Sequence, residues 1–597
     1  MDWLKHVGAC GLLMGGICLA ACSDADAPTS ASASAGDGDA EFDGGLSGDD
    51  GDGDGDRDNG GAESPPVLPP EVEETLSFDT PQAGRTSVYV PNPVTNRVAV
   101  VNAETFAIET VPSGTGPTYA ATVPGQDVAV VINVGSKDAS LLRTVDGHTT
   151  VIPLPLNHDA NAVAVSPSGK HAVLYFDASA SKGTASSFQD VTVVDLTEGM
   201  EHARGVSVGF RPRSVQFSGD GTCAYVNGAN DPNVRNTTCA FVNTEDGISV
   251  IDLAAAVDGP TIARLVPVGD ALSEQLSQDV QVAPDGRYAV ARREGTSSMR
   301  LVDLVSGEIT VLDLKSLQLA PPPKASGDAG PANGADGGLP GVVGNMLSAG
   351  ALDLSDMDLS PDGSLVLAVE RYRGALLRIP LPAGFVDPTQ IEISQVRDQL
   401  VGQVSIAKSG DVAIMYTTVN DTEGVVLVDL AKGTAPRGVR LRKAVRAVAF
   451  SDNGTRALVL HSAVGKAGAT ASEDDRIDAS EGYSLIDTAT GFAKLQLTPA
   501  AVRQRDILVL DGPGKFFALL RDDAQGVRSM EMADLNSFQV TSLTLARPPS
   551  SIGLLPGLSR IFIGQENSGG MITFVDSNTG EVARAVSGFE LASRIRQ

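Results

Sequence analysis

Chemistry in this chain would have to come from few reactive side chains. Five cysteines are present: Cys10, Cys18 and Cys22 crowd the first residues, and only Cys223 and Cys239 lie further along. Beyond His6 the histidines stand at 148, 158, 171, 202 and 461, with no pair at metal-ligand spacing. No Cys-x-x-Cys-His is present to attach a haem, no Gly-x-Ser-x-Gly elbow to raise a nucleophile, and no Gly-rich phosphate loop. No catalytic residue, metal or cofactor is therefore assigned. The run Asp49–Asp58 has the look of a calcium loop. Started at Asp50, it reaches Gly61 where the twelfth position needs Glu. Started at Asp52, it puts Arg57 where Gly is required. One scattered set of polar residues does recur at a fixed place in a repeat: Asn92, Asn133, Asp177, Asn227, Arg293, Arg371, His461, Arg521 and Glu566.

The elements that would position that set are β-strands. From about residue 80 the chain is a succession of short Val/Ile/Leu runs with period-two alternation, broken by Gly/Asp turns. One unit recurs. Ala162-Val163-Ala164-Val165 leads into the turn Ser166-Pro167-Ser168-Gly169. A second strand follows, His171–Phe176, then a third ending in Val194-Asp195-Leu196, then a fourth reaching Val206-Ser207-Val208-Gly209. The turn returns as Ala283-Pro284-Asp285-Gly286, Ser360-Pro361-Asp362-Gly363 and Ser451-Asp452-Asn453-Gly454. The third-strand ending returns as Ile251-Asp252-Leu253, Val302-Asp303-Leu304, Val428-Asp429-Leu430 and Val575-Asp576-Ser577. Gly supplies positive φ in the first turn, and the Asp carboxylate can accept backbone amides of the turn after it. Turn glycines recur every 44 to 77 residues, the shorter spacing being that of a four-stranded propeller blade.

The fold expected is all-β: a β-propeller of four-stranded blades over 79–597, with eight to ten units counted. Nine are complete. The first lacks its opening strand, which the C-terminal 589–595 would supply by strand exchange. A split near 318–350 into two five-bladed rings is the alternative. The long excursions are 177–190, 227–246 and 461–481, read between second and third strands, and 315–350 between units. In a propeller these emerge on one face, and the recurrent polar residues, following the second strand, would ring the channel mouth there. Cys223 and Cys239 flank the long insertion of their unit, a fifteen-residue loop at the edges of its second and third strands, and are expected to form a disulfide.

The N-terminus carries a different kind of information. Lys5 precedes an apolar run from Val7 to Ala21, short for a membrane span and suited to a signal peptide over 1–21. It ends in Leu19-Ala20-Ala21-Cys22, which resembles the bacterial lipobox. That resemblance implies acylation of Cys22, export to an oxidising compartment and, with Ser23 next, sorting to the outer membrane. Residues 22–78 form a Ser/Ala/Gly/Asp-rich tether expected to be disordered. Through Thr80 this stretch holds seventeen acidic residues against one Arg, a net of −16 within a total of −30. So acidic a chain repels phosphate backbones, and nucleic acid is not expected as a partner.

Val88-Tyr89-Val90-Pro91-Asn92 followed by Arg97–Asn102 resembles the YVTN family of propellers, and the likeness runs through nearly all of 81–590. Trp3 is the only tryptophan, which sets the chain apart from quinoprotein, WD-repeat and Asp-box propellers. The expectation is a monomeric envelope module that binds a protein or glycan through its long-loop face. The alternative is a hydrolase or lactonase-like enzyme working at the channel mouth.

Overall fold

A computed structural model describes residues 82–590 apart from 178–188, 219–222, 225–234, 238, 245–246, 254–261, 270–278, 294–296, 318–353, 372, 397–399, 420–421, 434 and 466–469. The expected signal peptide, Cys22 and the tether lie outside these residues.

Ten four-stranded antiparallel sheets follow one another: 82–112, 117–155, 162–207, 214–267, 279–313, 354–395, 403–440, 447–498, 507–544 and 549–587. Each is a meander of four strands in chain order. Second and third strands read as near-continuous apolar runs because each sheet packs on both faces. In blade seven, every residue of Val412–Tyr416 is buried. Fourth strands are exposed, as in Val582–Ser587. First strands are half-buried and meet the first strands of neighbouring blades, which places them towards the axis.

Between each pair of neighbours lies one apolar cluster, and there are ten of them. Blade five packs on blade six through Val290, Leu312, Leu354 and Leu377. Blade ten packs on blade one through Phe562, Phe574, Val88 and Val101. This is the connectivity of a single ten-membered ring, since two five-bladed rings would need blade five to close on blade one.

The repeat motifs behave as their chemistry requires. Gly169 and Gly363 hold φ of 68° and 71° at the first turn, and each N–H closes the turn on the carbonyl three residues earlier. Asp303 accepts from the N–H groups of Val305 (2.8 Å) and Ser306 (2.9 Å), and Asp576 does the same for Asn578 and Thr579.

Two expectations are corrected. Blade one has its own opening strand, Gln82–Ala83, paired with Val88 and Tyr89. No strand borrowed from the C-terminus occupies those positions; residues 591–595 lie outside the described set. Phe589 instead packs into the blade ten–blade one cluster. The seam is therefore closed by side-chain packing like the other nine joints.

The excursion read as 227–246 is misplaced. The second strand of blade four is Cys239–Thr244, which pairs with the third, Gly247–Asp252, from Cys239 with Asp252 to Thr244 with Gly247. The long insertion falls between first and second strands and carries a small hairpin, Cys223–Ala224 with Arg235–Thr237. Ala240-Phe241-Val242 is the run that two packed faces demand, and Cys223–Val226 had resembled it in the sequence. In a four-strand meander this connection leaves from the opposite face. The third-to-fourth connection of blade six carries one helical turn at Ala383–Val386 and another at Pro388–Gln390.

Candidate functional site

Those of the recurrent polar residues that are described stand at or just past the ends of second strands, and Asn92, Asn133, Asp177, Arg293, Arg371 and His461 are buried there. Asn92 caps its own turn, accepting from the N–H groups of Val94 and Thr95, both at 3.1 Å. Asn133 is fully buried. It donates to Asp138 (2.7 Å) and Ser140 (3.0 Å) and accepts from the Ser113 hydroxyl (2.7 Å). The backbone of Asp177 exchanges two hydrogen bonds with the side chain of Asn161. Arg293 and Arg371 are buried. Asn227 lies outside the described residues, within the insertion that precedes the second strand of blade four, so it does not share the register of the others. Two of the set meet: Arg521 of blade nine holds Glu566 of blade ten in a bidentate ion pair and also engages Asp523.

His461 shows how such a side chain is used. Its Nδ1 faces the Ala444 carbonyl and its Nε2 the Ser484 hydroxyl, both at 2.8 Å. A carbonyl can only accept, so Nδ1 carries the proton and Ser484 donates to Nε2. Burial pushes the imidazole down to about 4. His158 repeats the arrangement with the Asp159 carbonyl (2.7 Å) and the Thr192 hydroxyl (2.9 Å). These are neutral, structural histidines.

A second polar layer was missed in the sequence. Three residues before the third-strand Asp stands a polar side chain that ties the blade to a neighbouring element. Thr192 and Ser484 meet their histidines, Ser249 accepts from the Gly209 N–H, Thr573 accepts from Gln565, and Glu531 accepts from the Tyr483 hydroxyl. The spacing was visible, but one polar residue in a strand carries no signal until several blades are aligned on their Asp.

First strands are stitched to one another as well. Gln216 bonds Val280 and Val282 of the next blade, and Gln281 bonds Met357 and Leu359 of the blade after. Asp356 and Asp358 accept from Val404 and Ile406, both at 2.7 Å. An inner edge with unpaired backbone groups is thus covered by side chains. On the opposite rim, cations donate to the carbonyl that follows the third strand of the next blade: Arg143 to Leu196, Arg378 to Leu430, Arg437 to Thr488 and Arg456 to Leu535. At the seam Arg560 does the same to Ala103.

Cys239 is buried and disulfide-bonded; the Cys223 side chain lies outside the described residues. Among the described residues no group of three or more His, Cys, Asp or Glu is arranged to hold a metal ion, and no helix is long and apolar enough to cross a membrane.

One long second-to-third connection is described over most of its length: 462–480 of blade eight. It carries the helix Glu473–Asp478, begun by a capping box in which Ser472 and Asp475 bond each other's backbone N–H. Glu473, Asp474, Asp475 and Arg476 are exposed, and Arg442 from the preceding connection pairs with Asp474. This helix-bearing projection, on the face where second-to-third and inter-blade connections emerge, is the candidate site.

No family model matches the sequence, and no curated protein matches it. Among solved structures the chain is similar to a dihydro-heme d1 dehydrogenase, NirN, in complex with DHE, at 10% identity over 88% of this chain and 80% of that one, with a TM-score of 0.35. Hydrazine synthase of Kuenenia stuttgartiensis matches at 14% identity over 74% and 99%, with a TM-score of 0.28. The β-propeller domain of Cps50 (Swd1) of Myceliophteria thermophila matches at 12% identity over 59% and 95%, with a TM-score of 0.31. The ten-bladed β-propeller itself rests on this chain's own sheets and joints.

Proposed function

We propose that the protein is a lipid-anchored binding module of the bacterial envelope that engages a protein or glycan through the face bearing the second-to-third connections. The observation that carries this reading is the blade-eight projection, an exposed helix held on a ring of apolar joints. Variable loops on rigid scaffolds are where recognition concentrates. The polar side chains that could have formed a reactive centre have structural partners instead: His461 and His158 are held neutral in joints, and Asp356 and Asp358 bond the next blade. Under the same reading Cys22 carries the lipid, the outer membrane holds it, the tether lets a monomeric ring range from that surface, and Cys223 is the partner of Cys239. The repeat is of YVTN type.

The test uses the detergent-solubilised full chain as bait in envelope extracts, beside a variant in which 463–479 is replaced by a short Gly/Ser link. Loss of a specific captured species with the variant supports the reading. Equal recovery of every species removes the projection from it. Cys22→Ala should release the protein from membranes, and continued membrane association defeats the anchor.

A further inference from the structure

The blade-eight projection is held from outside its own blade. Lys443 lies in the connection between blades seven and eight, between Leu441 and Val445, which are buried in that joint. Its side chain is 1% exposed. The ammonium donates to the carbonyls of Ile477 (2.7 Å) and Asp478 (3.0 Å). These belong to the last turn of the helix Glu473–Asp478, where carbonyls lack intrahelical partners and carry partial negative charge. The Asp478 carbonyl also accepts from the Val464 N–H at 2.7 Å. Both legs of the excursion are therefore fastened at one point, and that point is fastened to the neighbouring joint.

A buried ammonium is a costly way to fill space. Desolvation opposes its charge, while Asp478, Glu481 and Glu423 favour it and Arg446 and the neutral His461 stand nearby. A methionine of similar length would fill the same volume without that cost. What the ammonium adds is directional: two carbonyls at the end of a surface helix are held in one place relative to the ring.

We propose that Lys443 is a positioning residue that latches the blade-eight projection in the geometry a partner meets. The proposal rests on the reading of that face as the binding face. A partner that meets a fixed projection avoids the ordering cost of a loose loop.

The test compares the full chain in detergent with Lys443→Met and with Val464→Pro. The latter removes the N–H that ties the near leg to Asp478 and leaves Lys443 and the joint intact. Limited trypsin digestion reads cleavage after the exposed Arg476, and a thermal melt reads the ring. Both variants are expected to be cut at Arg476 roughly tenfold faster while the melt stays where it was, because only local opening has changed. Lys443→Arg, which keeps the charge and the donors, should restore most of the protection. Cleavage at the original rate in a folded Lys443→Met overturns the latch. So does a melt that falls in step with cleavage, or a Lys443→Met chain that does not fold, since either makes Lys443 a pillar of the joint. Capture from the same envelope extract separates the two ideas: faster cleavage with unchanged capture leaves the latch standing and removes the projection from the binding face.

Discussion

Asp358→Asn should weaken the ring in acid and leave it nearly unchanged at neutral pH. In the first strand of blade six, Asp358 accepts the Ile406 N–H across the joint at 2.7 Å and its own Leu359 N–H at 2.9 Å. Burial is the largest influence and pushes the carboxyl from 3.8 to about 6. Asp279 adds to the rise, and the bonds from Ile406, Leu359 and Gln281 oppose it. The folded chain therefore holds this proton more tightly than the unfolded chain. The stability it contributes is fully present below pH 3.8 and is lost as pH rises through 6. That difference corresponds to about 3 kcal/mol. Asn is neutral throughout and escapes the loss, but its amide sets a donor against one of the two N–H groups, which costs about 1–3 kcal/mol. The variant should be less stable by that amount near about pH 4, with the gap closing or reversing by about pH 7. An assembly of roughly 500 residues unfolds with an entropy of about 1 kcal/mol/K, so 3 kcal/mol appears as about 3 °C. Calorimetric melts of both proteins across this range, compared at the first transition, measure it. A difference in melting temperature that is the same at every pH would refute the assignment.

Three further outcomes follow from the joints. His461 titrates with the opposite sign: its folded value of about 4 lies below the ordinary 6.5, so its contribution is present above 6.5 and lost as pH falls towards 4. His461→Leu should remove that acid sensitivity and cost about 1–3 kcal/mol at neutral pH by stranding the Ala444 carbonyl, as read by paired melts. Phe589→Ala should cost about 3–5 kcal/mol and speed amide exchange in Ser87–Asn92 of blade one far more than in Val412–Tyr416 of blade seven. Cys239→Ser should cost about 3 kcal/mol, and a reductant should then lower the melt of the parent but not of the variant.

The fold was legible because it repeats. A Gly turn, an Asp-ended third strand and apolar runs for two-sided burial recur often enough that ten weak signals identify one architecture. Where a blade departed from the pattern, the reading slipped. In blade four Cys223–Val226 imitated a second strand, and an insertion hid the real one, Cys239–Thr244. The short Gln82–Ala83 offered too little sequence to be seen as a strand. The candidate site was legible only as a list of positions. A polar residue at a strand end reads the same whether it meets solvent or a neighbouring blade, and His461 and Asn133 turned out to meet the blade. Lys443 gave no signal at all, because its partners are backbone carbonyls 34 and 35 residues away.

The way blade one begins has a mechanical consequence. A tether attached upstream delivers any pull to Gln82–Ala83, whose ladder is two residue pairs, Gln82 with Tyr89 and Ala83 with Val88. Pairs loaded one at a time part like a zipper, whereas the second and third strands of blade one are clamped by apolar clusters on both sides. Under the proposed anchoring, tension between membrane and ring would strip the first strand while the ring stays closed, making that short strand a mechanical fuse.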